Sequence, residues 1–252
     1  MGCKKLHSNR IHVSLFTLVV ALIFNTVSPA EESSSDKQEN QNTFTCGETV
    51  KDADGNEYGT VVIGDQCWMT ENLRTSSYSN GNPIKKVTSS REWKSLEEGA
   101  WSFYNNSERW NNPYGKLYNW YAVNDERNIC PANWHVPSYD EWDAMADHLG
   151  GRTVAGGKLK TPGTDNWRRP NLYATNQTGF SAVPGGSRTN FGDFRAHHRF
   201  YDLGKFGYWW TSSFHSDYEK VAWARMINHR SGSLQSVYNP KTTGYSVRCV
   251  KS

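Results

Sequence analysis

The clearest hydrophobic period in the chain lies in "PSYDEWDAMADHLGG". Trp142, Met145, Ala146 and Leu149 fall at i, i+3, i+4 and i+7, which makes one apolar helical stripe. Ser138 stands before the stripe with Glu141 three residues on, the signature of a capping box, and Gly150 supplies the C-terminal stop. A period of two replaces this pattern in "KVAWARMIN". Val221, Trp223, Arg225 and Ile227 alternate there with Ala222, Ala224, Met226 and Asn228. Arg225 breaks an otherwise apolar set. "GFSAVPGGSR", "YWWTSS" and "GYSVRCVK" are also strand-like, with Gly, Asn and Pro as punctuation. Residues 48–69, "ETVKDADGNEYGTVVIGDQCWM", predict two strands around a turn at Asp54-Gly55-Asn56. "GKLYNWYAV" (115–123) fits a short helix or a buried strand equally well. Residues 74–116 lack a clear period and predict ordered loops with short strands such as "GAWSFYNN". One long helix among many short strands predicts an α+β fold rather than a parallel α/β one.

The N-terminal pattern differs. Lys4, Lys5 and Arg10 precede an apolar run from Val13 to Phe24, and Ser28 and Ala30 occupy the −3 and −1 positions of a cleavage site. Residues 1–30 therefore read as a secretory signal peptide. The run is too short to span a bilayer, which takes about 20 residues. Cys3 precedes the run, where no lipidation pattern fits it. Residues 31–45 are polar and acidic with no aliphatic residue, and read as a flexible linker. Residues 46–252 hold all eleven tryptophans and suit one domain.

Charge adds an exclusion. The leader's three positive charges account for the whole formal +3, so the mature chain is neutral. That balance argues against nucleic acid as a partner, and no membrane-spanning segment is expected in the mature chain. Four mature cysteines, Cys46, Cys67, Cys130 and Cys249, favour disulfides in an exported protein and allow three pairings. Spacing suggests Cys46–Cys67, closing a local hairpin, and Cys130–Cys249, tying mid-chain to the C-terminal strand. A free or differently paired set is the alternative.

"IGDQCWMTENL", "YGKLYNWYAV", "CPANWHVPSYDEW", "GFSAVPGGSR", "YWWTSS" and "GYSVRCVKS" occur in that order. Together they resemble the Fibrobacter succinogenes major paralogous domain over about residues 46–252. More distantly, "HVPSYDEW", "PGGSR" and "SVRC" resemble segments of the formylglycine-generating enzyme superfamily. That resemblance implies a C-type-lectin-like fold, with an irregular mixed sheet, few helices and long loops.

Three function classes compete. A surface binding module for a glycan or a protein suits the many rings, since flat aromatics stack on sugars and anchor interfaces. Rings in loop regions are the candidates for exposure: Trp101, Trp110, Trp167, Tyr201 and Phe206. An oxidase like the formylglycine-generating enzyme needs a close cysteine pair near the C-terminus. No cysteine lies between Pro184 and Lys220, and Cys249 matches the superfamily's structural position. A hydrolase finds no G-x-S-x-G elbow and no H-E-x-x-H helix. Asp140, Glu141 and Asp143 crowd a helix start and read as capping, although a carboxylate pair for glycoside hydrolysis can come from anywhere in a chain. His197, His198, His215 and His229 read as loop and surface residues without ligand spacing. "DADGN" departs from a calcium loop, so it reads as a turn. The expectation is an exported, non-catalytic binding module, secreted or at the cell surface, with no cofactor and no metal.

Overall fold

The computed structural model describes residues 44–189 and 199–251. The expected leader (1–30), most of the polar linker, and His197 and His198 lie outside them. In chain order the elements are β1 (Val50–Lys51), β2 (Glu57–Tyr58), β3 (Thr60–Ile63), β4 (Gln66–Met69), β5 (Lys85–Lys86), α1 (Ser90–Lys94), β6 (Ala100–Ser102), α2 (Asn111–Tyr114), β7 (Leu117–Tyr118) and α3 (Trp120–Val123). Then follow α4 (Tyr139–His148), α5 (Arg152–Leu159), β8 (Ser187–Arg188), β9 (Phe200–Tyr201), β10 (Phe206–Phe214), β11 (Val221–Asn228), β12 (Gln235–Pro240) and β13 (Val250–Lys251). This is an α+β fold of small sheets. The orders are β1-β2, β13-β4-β3, β5-β6-β7, β8-β9 and β10-β11-β12. Among the described strands only β5 and β6 pair in parallel.

Local sequence explains several elements. Ser138 accepts from the Glu141 amide at 3.2 Å, and the Glu141 carboxylate accepts from the Ser138 amide at 2.7 Å, closing the capping box of α4. Trp142, Met145, Ala146 and Leu149 are all buried. The 48–69 segment forms two hairpins rather than one. Asp52 organises the first turn, with one carboxylate oxygen accepting from the Asp54 and Asn56 amides and the other from the Tyr58 hydroxyl at 2.6 Å. The second turn places Gly64 at φ +63°, a backbone glycine tolerates. "GKLYNWYAV" is both of its alternatives in sequence. β7 runs into Asn119, whose side chain accepts from the Ala122 amide and caps α3.

The C-terminal segment joins these sheets. "GYSVRCVK" is not one strand. Tyr245 bridges Tyr118, Gly244 bridges Arg188, Ser246 bridges Trp209, and Val250 pairs with both Trp68 and His135. Both disulfides form as spacing suggested. Cys46–Cys67 has a Cα–Cα separation of 5.8 Å, and Cys130–Cys249 has 5.9 Å.

A loop-rich fold leaves many carbonyls without ladder partners, and buried ones must find donors. Buried cations supply them. Lys160 Nζ donates to the carbonyls of Leu172, Asn228 and Ser231 at 2.7, 3.1 and 2.9 Å. Arg188 donates to Thr88 and Ser89 carbonyls, and Arg248 to those of Phe180 and Ser181. Each also lies near an aromatic ring: Lys160 by Trp167, Arg188 by Trp93, Arg248 by Phe180. Lys116 follows the same plan, with Nζ 4.1 Å from the Trp101 ring and 2.6 Å from Ser76 Oγ. Burial pushes the Lys116 and Lys160 ammonium groups down to about 8.

Candidate functional site

Where the expected rings lie decides where a site can be. Nine of the eleven tryptophans are buried, and Trp110 and Trp223 are half-buried. Trp101 is 5% exposed and Trp167 is 1% exposed, so neither is the open ring expected of it. The cause is common to both. Each indole donates to a loop carbonyl, Trp101 to Ile84 and Trp167 to Ala182, and each lies beneath a buried lysine. Trp110 leans on Tyr104 and Tyr114 with Arg109 over its face. Tyr201, in β9, is half-buried opposite Ser187. Phe206 is half-buried and stacks on Tyr208 at 5.8 Å. The five rings do not form one surface.

A different cluster does. In β11 the two-residue period puts Val221, Trp223, Arg225 and Ile227 on one face. Register pairs Trp223 with Tyr238 and Arg225 with Ser236 on β12. Helix α4 covers this face at Arg225 and touches Trp223 through its first residue, Tyr139. That buried guanidinium donates to Asp143 Oδ1 and the Tyr139 carbonyl, both at 2.6 Å, and lies 4.0 Å over the Tyr139 ring. Asp143 also binds Arg152, so it bridges two arginines rather than capping the helix as expected. The odd arginine of the strand pattern thus marks where the helix packs on the sheet.

Beside Arg225 the face is aromatic. Trp223 packs against Tyr139 at 5.2 Å, Tyr238 at 5.4 Å and His215 at 4.9 Å, the last nearly parallel at 22°. His215 also lies 4.9 Å from both Tyr218 and Tyr238. Tyr218 and Tyr238 have planes within 20° of each other. His215 and Trp223 are half-buried and form the floor, while Tyr218 and Tyr238 are 57% and 51% exposed. The connection from β10 to β11 sets the histidine. The Asp217 amide donates to His215 Nδ1 at 3.2 Å, which leaves Nε2 as the proton-bearing nitrogen of the neutral ring. Phe214, at the end of β10, is 64% exposed. Asp217, Glu219 and Lys220 flank the rings beside Tyr218, Val221 and Tyr238.

The arrangement offers flat apolar surface edged by hydroxyl and imidazole donors, which suits stacking with hydrogen bonds at the rim. His135, in the segment feeding α4, has a separate role. Its Nε2 meets Glu141 Oε1 at 2.6 Å, and that carboxylate raises the imidazole above its ordinary value. Among the described residues, no three of His, Cys, Asp and Glu converge as a metal site would require. No helix among them is long and apolar enough to cross a membrane.

The family model of the Fibrobacter succinogenes major domain matches residues 61–251, about three quarters of the chain. The chain matches no curated protein and no solved structure.

Proposed function

The chain belongs to the Fibrobacter succinogenes major domain family, and from that premise we propose that it is an exported, non-catalytic module that binds carbohydrate on its aromatic platform. The observation that carries this reading is the cluster of His215, Tyr218, Trp223 and Tyr238, with two tyrosines more than half exposed above a stacked floor. Monomeric surfaces seldom spend rings this way unless something covers them. The C–H face of a pyranose covers a tyrosine ring, while the tyrosine hydroxyls and His215 Nε2 meet its hydroxyl groups. Export is supported by the leader-like first 30 residues and by two disulfides, bonds that persist in oxidising compartments. The fold, in this proposal, is a C-type-lectin-like one that offers its ligand loops on irregular sheets.

Binding of the mature protein to a glycan array and to insoluble polysaccharides tests the reading. Tyr218→Ala and Tyr238→Ala, which remove the two exposed rings of the cluster, should each weaken glycan binding about tenfold or more, or ~1.4 kcal/mol, with little change in melting temperature. Retained affinity in both variants removes the platform from the account. A protein ligand is the second reading, favoured by Phe214, an exposed ring with no polar edge. Capture of a surface protein through these rings, with no glycan bound, would select it. Release of reducing sugar from a bound glycan overturns the non-catalytic part.

A further inference from the structure

A further exposed ring lies beside α5. Tyr173 is 72% exposed and has φ +64°, a left-handed conformation that a bulky side chain rarely adopts. The fold holds it there from several sides. Lys160 binds the carbonyls of Leu172 and Ser231 on either flank, and the Thr175 amide donates to the Gly157 carbonyl. Gly157 has no room for a Cβ, which would stand 2.6 Å from the Tyr173 carbonyl oxygen. A backbone strained in this way persists only where its surroundings impose it, and such sites cluster at ligand contacts. Beside the ring runs a groove of about 500 Å³. Thr153, Val154, Lys158, Thr175 and Gln177 form its walls, so it offers apolar surface, hydroxyls, an amide and a single charge.

A chain of contacts links the rim of this groove to the platform. The Ser233 hydroxyl donates to the Thr153 carbonyl, and the Leu234 amide donates to that of Arg152. Arg152 lies over the Tyr139 ring, whose hydroxyl meets Ser236 Oγ at 3.2 Å and whose face packs on Trp223. Gly232 packs against Tyr173. Tyr238 stands six positions after Gly232, with strand from Gln235 onward, so the two lie at most roughly 20 Å apart at the rise of a strand. The cation along this path, Arg152, is paired with Asp143.

We propose that Tyr173 and its groove form a second carbohydrate subsite, and that the protein binds a linear, uncharged polysaccharide along the track from Tyr238 past Trp223 and Tyr139 to Tyr173. This rests on the reading of the platform as a carbohydrate site. The polymer is uncharged because a polyanion would find one free-standing cation, Lys158, in the groove and a neutralised one between the two ends.

Calorimetric titration of the mature protein with linear β-1,4-linked gluco-, manno- and xylo-oligosaccharides of increasing length is the test. The series that binds should gain about tenfold or more in affinity once its oligomers exceed the roughly 20 Å track. Tyr173→Gly removes the ring and suits the positive φ. It should abolish that gain while leaving short-oligomer affinity intact, and Tyr173→Phe should keep the gain. A wild-type protein without the length step, or a step that survives Tyr173→Gly, overturns the second subsite and leaves the platform standing. An equal step with oligouronates overturns the uncharged ligand. No binding by any oligomer overturns both readings.

Discussion

Replacing Lys160 with methionine tests whether buried cations hold the loops. The ammonium is fully buried and binds three carbonyls, of Leu172, Asn228 and Ser231. Lys160→Met keeps most of the stem's packing and leaves those acceptors unpaired. At about 2 kcal/mol for each orphaned group, the loss is roughly 6 kcal/mol. Against it stands the desolvation of the ammonium, whose pKa falls from 10.5 to about 8. That shift is worth about 3 kcal/mol at 1.36 kcal/mol per pH unit. The net expectation is a loss of about 3 kcal/mol, or a melting temperature lower by about 6–12 °C for a domain of this size. Urea unfolding of both proteins at pH 7 measures it. A pH series adds a signed check. Between about 8 and 10.5 the unfolded chain holds more protons at this site than the folded one, so wild-type stability rises with pH. The variant lacks this contribution, and the gap between the two should widen by up to about 3 kcal/mol. A gap below 1 kcal/mol at pH 7, or one that narrows across this window, refutes the role given to Lys160.

Three further outcomes follow from the same structure. Removing the Cys130–Cys249 bridge, which closes 119 residues, should cost about 5 kcal/mol by loop-closure entropy, against about 3 for Cys46–Cys67. Chemical denaturation of the two double alanine variants ranks them, and the reverse order would contradict the argument. Gly156→Ala should destabilise by about 1–3 kcal/mol despite alanine's higher helix propensity, because its Cβ would stand 2.4 Å from the Ser233 carbonyl oxygen. A stabilised variant would show that this contact yields. His135 has its folded pKa raised by Glu141, so its contribution is complete below the ordinary value of 6.5 and lost as pH rises through the folded value. His135→Gln should erase that slope, which solvent screening of a half-exposed pair keeps to a few tenths of a kcal/mol, as read by melting temperature at pH 5.5 and 8.

What could be read from the sequence was local. Helix α4 is legible because cap, stripe and stop agree within fifteen residues. The alternation of β11 is legible for the same reason. Helix α5 is not, because Gly156-Gly157 is a poor helix pair on propensity alone. Both glycines answer to chain far away in sequence: Ser233 closes on the first and Tyr173 on the second. Strand β12 is an edge strand with partly open faces, so "QSVYNP" carries no clean alternation.

The exposed rings were the least legible feature, and the reason is physical. A tryptophan's exposure depends on what covers it, and in this fold the covers come from distant segments. Trp101 is covered by Lys116 and Trp167 by Lys160, neither of which a loop-based expectation includes. Trp223 lies in the most regular strand of the chain, where a tryptophan reads as core. It stays half-open because α4 touches it through its first residue, Tyr139, while Arg225, one step of the period further on, is fully buried against Asp143. One signal was available. Phe214, His215, Tyr218 and Trp223 gather around a single hairpin whose connection is charged, "HSDYEK". A core does not concentrate its rings where the chain must turn through solvent. Arg225 added a second sign, since a charged residue on an apolar strand face needs acceptors from whatever packs there, and helix α4 supplies Asp143 and the Tyr139 carbonyl. The strand pattern with its one exception therefore marked both where the helix lies on the sheet and where rings of the sheet are left partly open.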